Sequence, residues 1–187
     1  QTDDIKDVMA KSSELGMCTF DQSLYELYER GDLSLEQALD TLKDTVPVEL
    51  HFQPFELNPQ MPPGGQDITE HLTEKYGSTA EQQTQIRQTI RQRGAEVGFT
   101  FNPAGRGRIY NTFNAHRLLH WASLEDGARQ VALKKALLAA YQGRGESPES
   151  ADVLLAAVAE AGLDVKRAGE ILASDEFAAD VRAQQKF

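Results

Sequence analysis

Apolar residues recur every three or four positions through most of the chain, which predicts helix after helix. In DDIKDVMAKSSELG, Ile5, Val8 and Met9 keep that spacing and Gly16 stands as the stop. In TFDQSLYELYERG, Phe20, Leu24, Leu27 and Tyr28 share one face, with Gly31 at the expected end. SLEQALDTLKD opens on Ser34 with Gln37 in capping-box position, and Leu35, Ala38, Leu39 and Leu42 line one side.

VPVELHF breaks this period. Val46, Val48, Leu50 and Phe52 alternate with Pro47, Glu49 and His51, which predicts a strand with one buried face. Pro47 cannot donate to a ladder and suits an edge or a strand entrance. QPFELNPQMPPGG, with four prolines and two glycines, predicts irregular chain. A lone strand cannot satisfy its own backbone groups, so it needs either a second copy of the chain or strands from sequence not present here.

From Asp67 onward the pattern is helical again. DITEHLTEKYG is capped by Asp67 with Glu70 and stopped at Gly77. STAEQQTQIRQTIRQRGAEVG is capped by Ser78 with Glu81, and its Ile86 and Ile90 are expected to face inward. FTFNPAGRGRIY is a loop with a short extended piece at Phe99 to Phe101. NTFNAHRLLHWASLE turns Leu118, Leu119 and Ala122 inward, and ARQVALKKALLAAYQG, ADVLLAAVAEAG and DVKRAGEILAS follow as helices. SDEFAADVRAQQKF is expected to stay helical to the end.

Composition narrows what this set of helices can do. The 187 residues are 40% apolar, enough for one medium domain or two small ones. A net charge of −10 argues against a nucleic-acid backbone partner and against docking on anionic lipid. No apolar run approaches the roughly 20 residues of a membrane span, and the polar, acidic QTDDIKD does not read as a signal peptide. The single cysteine, Cys18, cannot form an internal disulfide, which favours a reducing compartment; the expected location is the cytoplasm.

Isolated candidates for chemistry are few. Cys18 as a nucleophile needs a base or cation beside it, yet Lys11 and Arg30 are the nearest basic residues and neither is adjacent. A small buried apolar side chain is the simpler reading. His116 and His120 stand four apart, on one helix face, as two zinc ligands would. No Glu follows the first of them and no third ligand is evident, so hydrogen-bonded structural histidines are expected and no metal. IRQTIRQRG and ARQVALKK read as solvated helix faces, and Trp121 and Tyr141 as core. GRGR, Gly105 to Arg108, has the makings of an anion site, although a plain flexible loop accounts for it as well. No G-x-x-x-x-G-K-S/T occurs, so nucleotide binding through a P-loop is unsupported.

VELHFQPFELNPQMPPGG, NTFNAHRLLHWA, ESADVLLAAVAEAGLD and EILASDEFAADVRA, in that order, resemble the DsbA-family thiol oxidoreductases of the FrnE type, relatives of the 2-hydroxychromene-2-carboxylate isomerases. The resemblance runs from Leu35 to Phe187. It implies a mainly α chain with one or few strands, part of a thioredoxin (DsbA-like) fold carrying a large helical insertion. The implied division is helix, strand and loop of the thioredoxin fold over 35–66, insertion over 67–173, and a returning helix over 174–187. The implied chemistry is thiol–disulfide exchange or glutathione-dependent isomerisation on a thiol, disulfide or small-molecule substrate. Phe55, Asn58, Asn111, Thr112 and His116 are the residues it places on the substrate side, with Asn111 or Thr112 as the alternative helix cap.

The same resemblance locates the family's Cys-x-x-Cys, or the isomerases' serine, near Tyr25, Glu26, Leu27 and Tyr28, none of which is cysteine or serine. A low-pKa thiolate at a helix start and a second, resolving cysteine are both needed for dithiol exchange. The family's first strand and its cis-proline strand, due after VRAQQKF, also have no counterpart here. The chain is therefore expected to be redox-inactive. Residues 1–34, through IKDVMAKSSELGMCTFDQSLYELYERGDLS, resemble instead the C-terminal region of type IV pilus retraction ATPases of the PilT/PilU kind. The two resemblances meet near Ser34 and Leu35, as they would in an engineered fusion, a chimeric gene or a sequence spliced from two sources. Two further readings follow: a non-catalytic helical interaction module, homodimeric through the lone strand, and a pilus-motor fragment.

Overall fold

The computed structural model describes residues 50–186. The helices expected upstream, Cys18, the Tyr25 to Tyr28 stretch and the first four residues of VPVELHF lie outside that range.

Local caps set the first two helices. The Asp67 carboxylate accepts from Thr69 N at 2.8 Å and Glu70 N at 3.1 Å, which starts α1 (Ile68–Tyr76), and Gly77 in the left-handed region ends it. The next helix, α2 (Ala80–Glu96), begins one residue later than expected. Thr79, not Ser78, is the cap, in a reciprocal box with Gln82: Gln82 N donates to Thr79 Oγ1 at 3.3 Å and Thr79 N to Gln82 Oε1 at 2.9 Å. Ser78 Oγ donates instead to Leu72 O.

The inward face of α2 also departs from the expectation. Ile86 and Ile90 are 55% and 45% exposed, whereas Gln83 and Gly94 are buried. The surface that α2 meets explains the choice. Along α1 and the turn after it, α2 meets the Thr69 and Ser78 carbonyls and the Thr73 hydroxyl, and Gln83 Nε2 lies 3.2–3.3 Å from all three. An isoleucine there would set an apolar side chain against these polar groups and forfeit the Gln83 hydrogen bonds. At its other end α2 meets Phe99 and Phe101, and only a residue without Cβ fits beneath them.

Two short strands, β1 (Gln66–Asp67) and β2 (Arg108–Ile109), pair antiparallel with Gln66 opposite Ile109. The extended piece expected at Phe99 to Phe101 is thus found at 108–109. Phe99 and Phe101 pack edge to face at 4.8 Å over Gly94. Arg108 is held in place by Gly64 O and Gly65 O, each 2.8 Å from its guanidinium. Gly65 has φ 68°, and a Cβ on it would stand 2.1 Å from Ile109 O.

The main core lies among α3 (Phe113–Glu125), α4 (Gly127–Leu138), α5 (Ala151–Glu160) and α6 (Val165–Leu172). Leu118, Leu119 and Ala122 point inward as the periodicity predicts, and meet Leu133, Leu137, Leu154, Val158 and Ile171. Beyond Leu138 the expected single helix widens into a π turn, Ala139–Arg144, closed by Gly145 at φ 74°. That turn presents Gln142 O to Asn102 N at 2.9 Å, a bond to a distant loop that an unbroken α-helix would keep for itself. The last helix, α7 (Ala178–Gln184), stops before the chain does, with Gln185 and Lys186 in a turn.

Arg117 of α3 secures the α6–α7 corner. It is 4% exposed and donates to the carbonyls of Ile171, Ser174 and Glu176. A fork of fixed donors suits three carbonyls left over at a helix end.

Candidate functional site

The residues that the family resemblance places on the substrate side fall on one irregular segment, 50–65, and on the start of α3. The segment has no strand or helix of its own, so its backbone groups need partners from the helices it crosses. Phe52 N donates to Gln130 Oε1 at 2.9 Å, and Gln130 Nε2 donates to Phe52 O at 3.0 Å. The same amide reaches Leu119 O at 3.2 Å. The Gln130 carboxamide does for Phe52 what a neighbouring strand would do. Residues 50–52 of the expected strand are accordingly not in a ladder, because a side chain of α4 occupies the ladder's place.

From Phe52 the segment alternates. Pro54 and Glu56 are buried, whereas Phe55 and Leu57 are 68% and 72% exposed. Glu56 accepts from Gln185 Nε2 at 3.0 Å, tying the segment to the C-terminal turn. Lys134 of α4 lies 5.7 Å from the Phe52 ring centroid, a cation over an aromatic face.

His116 and Phe55 are brought together: the imidazole hydrogen-bonds the Phe55 backbone. Burial, helped by the nearby Lys134 charge, brings the His116 pKa down to about 4, and the bond to Phe55 opposes both. Lys134 is itself lowered by burial. His116 is therefore a neutral imidazole at pH 7. It can orient a polar group by hydrogen bonding but has no proton to give as an imidazolium acid.

The other three point elsewhere. Asn58 Oδ1 accepts from Lys75 Nζ of α1 at 2.7 Å. Asn111 Oδ1 accepts from Phe113 N at 2.9 Å, so Asn111 closes the start of α3, and its Nδ2 reaches Met61 O at 3.3 Å. Thr112, at the cap position itself, makes no side-chain cap bond.

Gln130, Lys134 and Glu56 are the residues that pattern reading missed. Gln130 carried a usable signal: it precedes Leu133 and Leu137 at helical spacing, on the apolar face of α4, and a polar group in a core position requires a partner. Elsewhere, Trp121 is core, its Nε1 donating to Glu125 at 3.1 Å, and Tyr141 OH donates to Arg108 O at 2.8 Å. His120 packs edge-on against Phe177 at 5.4 Å. Among the described residues no group of three or more His, Cys, Asp or Glu is placed to hold a metal ion. None of the described helices is long and apolar enough to cross a membrane.

Comparison with known proteins gives this geometry its class. Residues 32–187 match the DSBA-like thioredoxin domain family, and the chain belongs to it. A probable DsbA oxidoreductase from Streptomyces coelicolor is similar in structure, with a TM-score of 0.63 and 29% identity. The match covers 71% of this chain and 56% of that one, so the chain spans little more than half of its structural relative. The fold is thus the mainly α, DsbA-like form of the thioredoxin fold. A stretch of 36 residues, 19% of the chain, is 50% identical to the type IV pilus ATPase PilU of Pseudomonas aeruginosa, and covers 9% of that protein.

Proposed function

We propose that this chain carries the substrate-facing helical body of a FrnE-type DsbA oxidoreductase, and that it is itself inactive in dithiol exchange. Thiol–disulfide exchange, or glutathione-dependent isomerisation, is the chemistry of the parent enzyme. The observation that carries the inactivity is the cysteine inventory: the sole cysteine, Cys18, lies upstream of the matched residues 32–187. Attack by one thiolate forms a mixed disulfide with the substrate, and intramolecular release in dithiol exchange requires a second cysteine, which the chain does not contain. Under this reading 67–173 is the helical insertion, Phe55 and His116 border the substrate, and the join near Ser34 and Leu35 is a chimeric one. A cytoplasmic location is part of the same proposal.

The test is catalysed reduction of insulin by this polypeptide with dithiothreitol as the electron source, against Cys18→Ser. Equal rates at the uncatalysed background are expected. Turnover by the parent chain above the Cys18→Ser rate would overturn the reading.

A non-catalytic binding module is the second reading. It is favoured by Ile86 and Ile90, apolar, exposed and one turn apart on α2. It requires self-association, which light scattering across a concentration series detects; a strict monomer throughout would remove it. The pilus-motor reading rests on a match to 9% of that ATPase and gains no support from the described residues.

A further inference from the structure

The basic residues of α2 were expected to be a solvated helix face. Arg87 and Arg91 instead converge on the loop that carries Arg106, and all three are half-buried around a cleft of about 460 Å3. That volume falls in the range of small-molecule sites. Among the described residues none of the three has a carboxylate within ion-pair distance.

Each guanidinium is held by a neutral group. Arg87 donates to Thr84 Oγ1 at 3.1 Å, Arg91 to Pro103 O, and Arg106 lies 5.3 Å from the Tyr141 ring centroid. These partners fix position without cancelling charge. Gly105, at φ 76°, brings the loop close: a Cβ there would be 3.9 Å from both Arg87 Cδ and an Arg91 terminal nitrogen. The one acid lining the cleft, Asp67, is committed to the Thr69 and Glu70 amides. Three cations facing one carboxylate leave the cleft positive. Like charges four apart on a helix repel one another, and a bound anion would relieve that repulsion.

We propose that the cleft between α2 and the 102–107 loop binds a small ligand through a phosphate group. Three planar forks, two from one helix and one from the facing loop, suit a tetrahedral dianion, whereas a carboxylate is matched by a single guanidinium. A nucleic-acid strand would engage many phosphates along an extended basic surface, and the oligonucleotide arm of the test separates it from a small ligand.

The experiment is isothermal titration of the full chain with pyrophosphate at constant ionic strength, with citrate, chloride and a single-stranded oligonucleotide as separate arms. Saturable one-site binding of pyrophosphate is expected, weakened at least tenfold in Arg91→Gln and in Arg106→Gln. In parallel, the arginine Nε–H resonances of the unsubstituted chain are followed during titration, which needs no variant to fold. Shifts at Arg87, Arg91 and Arg106 support the site. Pyrophosphate no tighter than citrate, shifts confined to other arginines, an oligonucleotide binding more tightly than pyrophosphate, or no binding would each overturn it.

Discussion

Gln130 and Phe52 bond to each other twice, side-chain amide to backbone amide, at 2.9 and 3.0 Å across a separation of 78 residues. The pair converts what the sequence patterns as a strand into a segment docked on a helix. Gln130→Leu keeps the volume but strips partners from Phe52 N, Phe52 O and Leu119 O. Leaving buried backbone groups unpaired costs roughly 1–3 kcal/mol each where water cannot replace the bond. A loss of about 2–4 kcal/mol in urea unfolding is therefore expected, since Phe52 is only half-buried. Amide exchange at Phe52 should quicken in the variant; unchanged protection there would show that the bond is not what holds the segment.

His116 predicts an acid limb to stability. Its pKa in the fold is about 4, below the ordinary 6.5. Between those values the unfolded chain takes up a proton that the folded chain refuses. Stability is therefore retained above pH 6.5 and is lost as pH falls toward 4. The loss is at most about 3 kcal/mol, less to the degree that solvent reaches the ring. His116→Asn should flatten the urea midpoint between pH 4 and pH 6.5, whatever it does to stability at pH 7. A variant whose pH profile parallels that of the unsubstituted chain would assign the limb to other groups.

Gly94→Ala reverses the usual helix rule. In an open helix the change gains up to about 1 kcal/mol. Here the new Cβ would stand 2.5 Å from Phe101 Cε2 and 2.9 Å from Phe99 O. The phenyl ring can turn away, but the backbone oxygen is tied by the neighbouring Phe99 N bond to Gly94 O at 2.8 Å. A net loss of about 1–3 kcal/mol is expected, the ordinary cost of overpacking. A melting temperature above that of the unsubstituted chain would mean the 99–101 loop shifts freely.

The elements that were legible from sequence are those decided within one turn of helix. Asp67 and Gly77 bound α1 because a carboxylate three residues from an amide, and a glycine at a left-handed position, act locally. Leu118, Leu119 and Ala122 face the core because a 3.6-residue period admits only one apolar stripe on α3. The family was legible for a related reason: the order of blocks from Leu35 onward is itself sequence, and the match over 32–187 rests on the same residues.

Where two elements meet, local pattern gave the wrong answer or none. Ile86 and Ile90 have the spacing of a core stripe, yet the surface opposite α2 offers carbonyls and a pair of rings, so Gln83 and Gly94 face inward. Val46 to Phe52 alternates like a strand, but the partner for its last residue is a side chain on α4. The neutral state of His116 and the gathering of Arg87, Arg91 and Arg106 likewise depend on residues far apart in the chain. By itself the sequence determined which of the described stretches from Asp67 onward are helical, the family, and a cysteine inventory with no second cysteine. Tertiary structure alone decided which face α2 buries, because there burial is settled by the polarity of the opposing surface and not by the period of the helix.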